Sequence, residues 1–139
     1  MNGVRHWGSL IFRIGYGSFY LLVGLYGSYS LVSGEGNPFA VEPGPGAKFQ
    51  AALDETGFIV PIMLVCFLAG GGALTIDRTA PLGIMLLAPF VVVIFFYHTM
   101  LGGSLIWAFF WAGGLILLAY QYRSQLGVLV GISPENGRT

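Results

Sequence analysis

The stretch APLGIMLLAPFVVVIFFYHTML, Ala80 to Leu101, decides the fold of this chain. It contains no Asp, Glu, Lys or Arg. A helix of about 20 apolar residues crosses the hydrocarbon core of a bilayer, which is about 30 Å thick. A strand of a membrane barrel would instead alternate apolar and polar residues over about ten positions. The stretch therefore predicts a transmembrane α-helix.

Three other apolar stretches of similar length accompany it, and they run over residues 10–32, 58–76 and 104–122. In lipid each backbone N–H and C=O must be satisfied within its own segment, so these stretches are also expected to be helices. The short connections between them make neighbouring helices antiparallel. We therefore predict an all-α integral membrane protein, a four-helix bundle in which residues 1–139 form a single membrane domain with spans over 10–32, 58–76, 80–101 and 104–122.

The composition supports a membrane location and excludes one class of partner. The chain is 55% hydrophobic and only 9% charged, whereas a soluble domain has roughly 25% charged residues. Its net charge of zero provides no basic surface for nucleic acid. A single cysteine, Cys66, lies within an apolar run, where we expect a packing residue and no disulfide or metal cluster.

The basic residues predict the orientation, because cytoplasmic loops carry the excess of Lys and Arg. Lys48 stands alone on one side of the predicted spans, in the loop 33–57. The arginines fall on the other side, at Arg5, Arg13, Arg78, Arg123 and Arg138. We therefore expect both termini in the cytoplasm, most simply at a bacterial inner membrane, with the loop 33–57 outside.

The outer loop is expected to be irregular in its first half, which is rich in glycine and proline. Its second half, Lys48 to Glu55, predicts a short helix on the membrane surface. Phe49, Ala52 and Leu53 would share one side of that helix. In the polar turn before the third span, Thr79 is a candidate N-cap. Pro89, in the middle of that span, is expected to kink it.

Small residues predict how the spans pack. Helices gain little hydrophobic energy from associating in lipid, so close approach at small residues must hold them together. Such residues recur at helical spacing in three spans: Gly17, Gly24 and Ser28 in the first, Cys66, Ala69, Gly70 and Ala73 in the second, and Ala108, Ala112, Gly113 and Gly114 in the fourth. We interpret these positions as packing seams.

His98 is the candidate site residue, because polar side chains within a membrane are costly and therefore often functional. It is expected near the outer interface, where its ring could contact a quinone or the metal of a haem or chlorophyll. Haem usually needs a second axial ligand, and the spans contain no other histidine; chlorophyll needs one ligand, with candidate ring contacts at Phe95, Phe96, Tyr97 and Trp107. The alternative is a structural histidine, hydrogen-bonded to Tyr97, to the first loop or to water. We nominate no catalytic residue and no metal site.

The segment FQAALDETGFIVPIMLVCFLAGGGALTIDRTAPLGIMLLAPFVVVIFFYH, Phe49 to His98, resembles the DoxX-like family of small four-helix membrane proteins. The positions that carry the resemblance are a glycine pair, a polar turn and a histidine near the end of the third span, at Gly70, Gly71, Asp77, Arg78 and His98. The glutamate that the family has in its second span is missing, since its place falls near Cys66 or Phe67. The resemblance implies a relation to subunits of thiosulfate:quinone oxidoreductase and other membrane redox assemblies.

Three functions are compatible with these observations. The first is an accessory, structural subunit of a larger respiratory or photosynthetic electron-transfer complex, in contact with lipid and with other transmembrane subunits. The second is a quinone-linked oxidoreductase subunit that uses His98 near its site. The third is a stand-alone transporter or lipid-contacting protein, which the lack of ionisable residues along a path opposes. An accessory subunit without independent catalytic activity is the function that the sequence favours.

The basic residues generate a prediction about orientation. Single cysteines introduced at Gly44 and at Asn136, in a chain whose Cys66 is replaced by alanine, should react with a membrane-impermeant thiol reagent from opposite sides of the membrane. The cysteine at position 44 should be labelled from outside intact cells, and the one at position 136 only after lysis. Labelling of both from the same side would contradict an even number of crossings.

Overall fold

The computed structural model describes residues 2–35, 43–129 and 131, with side chains from Trp7 onward. Every regular element in this part of the chain is helical, which confirms the all-α prediction. The helices are α1 (Asn2–Ser33), α2 (Pro45–Glu55), α3 (Ile59–Thr75), α4 (Ala80–Met100), α5 (Leu105–Gln121) and α6 (Arg123–Leu129), with a 3-10 turn (Asp77–Thr79) before α4. The sequence did not predict α6.

Two helical segments, Trp7–Ser33 and Asp77–Met100, are each long and apolar enough to cross a membrane. α3 and α5 have 17 residues each, so their length is roughly 26 Å at 1.5 Å per residue. Each counts as a candidate span only when it is taken together with the neighbouring short helix. The angle between α2 and α3 is 91°, and the angle between α5 and α6 is 81°. The described residues thus contain two to four candidate spans, as expected of an integral membrane protein.

Two helix starts differ in detail from the expectation. α2 begins at Pro45 and not at Lys48, because proline suits the first turn of a helix, where its missing N–H costs nothing. Thr79 does precede α4, but its side chain does not cap that helix. Its hydroxyl instead donates to the carbonyl oxygens of Ala73 (2.8 Å) and Ile76 (3.3 Å). Thr79 therefore ties the end of α3 to the turn.

α3 packs between α1 and α4 through two adjacent glycines. A Cβ added at Gly71 would lie 2.8 Å from the carbonyl oxygen of Gly17 on α1. On the other side, a Cβ added at Gly83 of α4 would lie 2.7 Å from the carbonyl oxygen of Gly70. Successive residues of a helix are about 100° apart around its axis, so this pair serves two neighbours at once. The predicted packing seam in α3 is therefore confirmed at Gly70.

α5 packs on α4 and meets α1 through aromatic side chains. The Tyr16 hydroxyl on α1 donates to the carbonyl oxygen of Trp111 (2.5 Å) and lies 3.1 Å from the Tyr20 hydroxyl. Gly114 leaves room for the Tyr16 ring, which a Cβ at that position would strike. Gly113, in contrast, has nothing within 4 Å of an added Cβ. Of this predicted glycine pair, only Gly114 belongs to a seam.

A polar network closes the end of the bundle opposite α2, which we call the Arg13 end. Arg13 is only 4% exposed. Its Nη1 donates to the carbonyl oxygen of Leu74 (3.1 Å) and lies 3.7 Å from Oδ1 of Asp77. The same Oδ1 accepts a hydrogen bond of 2.5 Å from the hydroxyl of Tyr122. A buried guanidinium is tolerated only when it is paired and hydrogen-bonded, so this network joins α1, α3, the 3-10 turn and the end of α5.

The glycine seam generates a prediction about stability. Gly71→Ala should destabilise the bundle by about 1 to 3 kcal/mol, because the new methyl group meets backbone and not a flexible side chain. Gly113→Ala is the matched control, since its methyl group enters open space and should raise stability by up to about 1 kcal/mol through helix propensity. Reversible unfolding in mixed detergent micelles measures both. Equal effects of the two substitutions would contradict the proposed role of the seam.

Candidate functional site

A cavity of about 620 Å³ lies at the end of the bundle that carries α2. Its volume is within the range of roughly 300–1,000 Å³ that is typical of small-molecule sites. Its walls come from α1 to α5 and are mainly apolar: Phe19, Val23, Phe49, Leu53, Ile59, Val60, Met63, Phe67, Phe90, Val93, Ile94, Trp107 and Trp111. The polar lining residues are Gln50, Asp54, Tyr97 and His98. We call this space the α2 cavity.

α2 covers the α2 cavity because the chain turns sharply before α3. Gly57 has a φ of 73°, a left-handed conformation that glycine adopts without strain. At its other end, α2 rests on the last turn of α4. A Cβ added at Gly46 would lie 2.9 Å from the Tyr97 hydroxyl and 3.2 Å from the carbonyl oxygen of Leu101. α2 is thereby held across the mouth of the bundle.

The face of α2 that the sequence predicted is confirmed in part. Phe49 and Leu53 line the α2 cavity, and the ring of Phe49 lies 6.0 Å from that of Tyr97, measured between centroids. Ala52, the third residue assigned to this face, is exposed. α2 is therefore amphipathic, but its apolar side covers a cavity and not only a membrane surface.

Three aromatic rings from three helices pack together in the lining of the α2 cavity. The Trp111 ring lies 5.0 Å from that of Phe19 and 5.9 Å from that of Phe67. Tyr20, which is fully buried, packs edge-on against Trp111 at 5.0 Å. Aromatic pairs prefer such edge-to-face arrangements at 4.5–7 Å between centroids. This part of the lining is therefore well packed.

His98 lies in the wall of the α2 cavity, and its two ring nitrogens have different surroundings. Nδ1 is buried and has no hydrogen-bond partner among the described residues. Gly103 covers it so closely that a Cβ there would collide with the imidazole. The chain reaches this position because Gly102, with a φ of 88°, turns it back over α4. This leaves Nε2 as the nitrogen that a molecule in the cavity can reach.

The surroundings of Nδ1 indicate which nitrogen of His98 carries the proton. Buried N–H groups without an acceptor are rarer in proteins than buried acceptors without a donor. The neutral ring therefore favours the tautomer with its proton on Nε2. In this tautomer His98 presents a hydrogen-bond donor to the α2 cavity.

The axial contact to haem or chlorophyll stays a prediction. A histidine that binds a metal through one nitrogen almost always donates its other N–H to a carboxylate, a carbonyl or water. Among the described residues, no group of three or more His, Cys, Asp or Glu side chains could hold a metal ion.

One of the structural partners expected for His98, Tyr97, does not have that role. Tyr97 does not hydrogen-bond to Nδ1; its ring packs edge-on against the imidazole, with centroids 5.2 Å apart. Residues 36–42 of the first loop lie outside the described residues. Of the four predicted ring contacts, Tyr97 and Trp107 line the α2 cavity, whereas Phe95 and Phe96 pack against each other away from it.

Several lining residues escaped the sequence analysis. In the sequence, three of them are apolar residues of three separate spans, Phe19, Phe67 and Trp111. Only the packing of those spans brings their rings together. Gln50 and Asp54 lie on α2, and the sequence assigned no site role to either of them. The i, i+4 spacing of Gln50 and Asp54 on an amphipathic helix was the one signal that pointed to a shared face.

The tautomer of His98 is a testable consequence. In protein labelled with ¹⁵N at histidine, His98 should give the shifts of a neutral imidazole protonated at Nε2, because Nδ1 lacks an acceptor. The spectrum of His98→Gln identifies its resonances by their loss, leaving those of His6. Protonation at Nδ1 would contradict the assignment.

Comparisons of the chain with protein-family models, with curated proteins and with solved structures give no match. The resemblance to the DoxX-like family therefore stays a prediction, and the functional argument rests on the α2 cavity and on His98.

Proposed function

We propose that this chain is a quinone-binding, DoxX-like subunit of a membrane electron-transfer assembly. The observation that carries the proposal is the position of His98 in the lining of a large cavity with aromatic walls, with Nδ1 buried and without a hydrogen-bond partner among the described residues. We infer that its Nε2–H is the donor offered to a ligand. A quinone is a flat apolar ring with carbonyl acceptors at its edge, and it dissolves in the bilayer. When bound, it would supply the capacity to carry electrons and protons.

The lining residues have complementary roles in this proposal. Phe19 and Trp111 offer flat surfaces on which a ring can stack. Nε2–H of His98 would donate to one carbonyl and so fix the orientation of the ring. Specific ligand sites usually combine such apolar walls with a small number of polar groups. The remaining polar lining, Gln50, Asp54 and Tyr97, lies at the α2 side, so the ring would enter with its polar edge toward α2.

The lining of the α2 cavity favours a ligand-binding role over the purely structural role that the sequence favoured. Its volume of about 620 Å³ is within the range of roughly 300–1,000 Å³ that is typical of small-molecule sites, and its apolar walls carry four polar side chains. A transporter is also a poorer fit, because the polar groups of the cavity gather at one end and do not form a path.

The proposal includes a topology and a location. Four spans with both termini in the cytoplasm of a bacterial inner membrane would place α2 and the α2 cavity at the outer leaflet. Arg13, Arg78 and Arg123 lie at or near the Arg13 end, and Lys48 lies on α2. This distribution agrees with the expected excess of basic residues on the cytoplasmic side.

Other transmembrane subunits are part of the proposal as well. Binding a quinone moves no electrons by itself, so redox groups on partner subunits would deliver or remove them. The DoxX-like resemblance suggests the same kind of assembly. This chain would then hold the quinone close to its partners and need no independent catalytic activity.

Quinone binding provides the test. Purified protein in lipid nanodiscs should bind decylubiquinone saturably, detected by quenching of the fluorescence of Trp107 and Trp111, which line the cavity. His98→Ala should raise the Kd about fivefold to tenfold, equivalent to about 1 to 1.4 kcal/mol for one lost hydrogen bond.

Two further variants make this test specific. Thr99→Ala changes the neighbouring residue, whose hydroxyl bonds to the backbone of its own helix at Phe95, and should leave the Kd unchanged. His98→Gln keeps an N–H donor and should recover part of the affinity. Absence of saturable binding, or equal binding by the wild type and His98→Ala, would contradict the proposed function.

A further inference from the structure

The seam between α1 and α5 differs from the other helix seams of the bundle. At α1–α3 and α3–α4, glycines bring backbone into direct contact with the facing helix, at Gly71 and Gly83. At α1–α5 the contacts described above run through large aromatic side chains. At the level of the α2 cavity, Phe19 of α1 and Trp107 of α5 stack at 6.3 Å between centroids, with planes 14° apart. Side chains, and not backbone, therefore close the bundle here.

The two stacked side chains form the part of the cavity wall that lies between α1 and α5. Both line the α2 cavity, and Trp107 is also 47% exposed. An exposed side chain changes rotamer on a timescale of picoseconds to nanoseconds. Moving the Trp107 ring therefore opens this wall without displacing a helix, whereas opening either glycine seam requires two helices to separate.

From this seam, and resting on the proposed function, we infer that the ligand enters the α2 cavity sideways from the bilayer, between α1 and α5, through a gate formed by Phe19 and Trp107. The ligand class is therefore a membrane-dissolved quinone with a hydrocarbon tail. Its ring would lie in the cavity, and its tail would leave through the gate into lipid. A water-soluble ligand would instead need a passage beneath α2, where Gly46 rests on Tyr97 and the end of α4.

The gate is tested by locking it. In a chain with Cys66→Ala, the pair Phe19→Cys and Trp107→Cys is joined by a short bis-methanethiosulfonate crosslinker, and the same protein after reduction is the comparison. Trp111 remains in the cavity as the fluorescent reporter. Locking should slow both association and dissociation of decylubiquinone at least tenfold, with the Kd changed less than threefold, because a gate alters rates and not the bound state.

A second crosslink tests the alternative entrance. Gly46→Cys and Leu101→Cys lie outside the lining of the cavity, where α2 rests on the end of α4, and a Cβ at Gly46 would be 3.2 Å from the carbonyl oxygen of Leu101. Crosslinking this pair fastens α2 to α4 and leaves the α1–α5 seam free. This lock should leave both rates within twofold of the reduced protein. Slower binding with this lock and unchanged binding with the first would overturn the gate in favour of entry beneath α2. Unchanged rates with both locks would overturn it as well.

A pair of single variants gives an independent measurement. Trp107→Ala removes half of the gate and should speed association and dissociation severalfold. Phe109→Ala, a change at an exposed aromatic of the same helix that does not line the cavity, should leave both rates unchanged. Equal effects would overturn the gate. Failure of the wild-type protein to bind decylubiquinone at all would instead remove the proposed function, and the gate with it.

Discussion

The close contact of α3 with both of its neighbours, at Gly70 and Gly71, is the constraint on which the rest of the bundle depends. Because the two glycines are adjacent, they face different directions around the helix, and α1 and α4 can both approach the backbone of α3. Lipid provides little hydrophobic force for helix association, so such contacts carry much of the stability. α5 then packs on α4 and reaches α1 through aromatic side chains and through the hydrogen bond from Ser9 to Gln121. The α2 cavity is the space that remains among α1, α3, α4 and α5 beneath α2.

The two ends of the bundle differ in a way that follows from their polar groups. At the Arg13 end, a buried guanidinium, a backbone carbonyl, Asp77 and Tyr122 satisfy one another and fasten several elements together. At the α2 end, the helices are joined by the short helix α2 and by stacked rings, and Nδ1 of His98 has no partner in the described part of the chain. Local opening is easiest where contacts are few and side chains alone close a gap. A site that must admit a ligand is therefore expected at the α2 end.

The sequence predicted the helices well because a membrane span requires about 20 apolar residues, and this requirement is local. It also predicted Gly17 and Gly70 as seam residues, since small residues four or seven positions apart share one face of a helix. It did not distinguish Gly113 from Gly114, because which of two neighbours faces another helix depends on the rotation of α5. The α2 cavity could not be predicted for the same reason. Phe19, Phe67 and Trp111 belong to three spans, and only the spacing of α1 and α5 decides whether their rings meet or leave a space.

His98 connects this spacing with the proposed function. An unpaired polar atom that is buried costs about 1 to 3 kcal/mol, and Nδ1 of His98 bears such a cost under Gly103. A purely structural histidine would lower this cost by turning Nδ1 toward an acceptor, or it would be replaced by an apolar residue of similar size. Because Nδ1 is instead buried without a partner, the proton of the neutral ring is expected on Nε2. This N–H lies at the wall of a cavity that a flat ring can fill. Proteins keep such locally unfavourable arrangements mainly at functional sites, where the surrounding structure compensates for them. In this chain the glycine seams and the Arg13 network, which lie away from the cavity, contribute the stability that offsets the cost of the unpaired Nδ1.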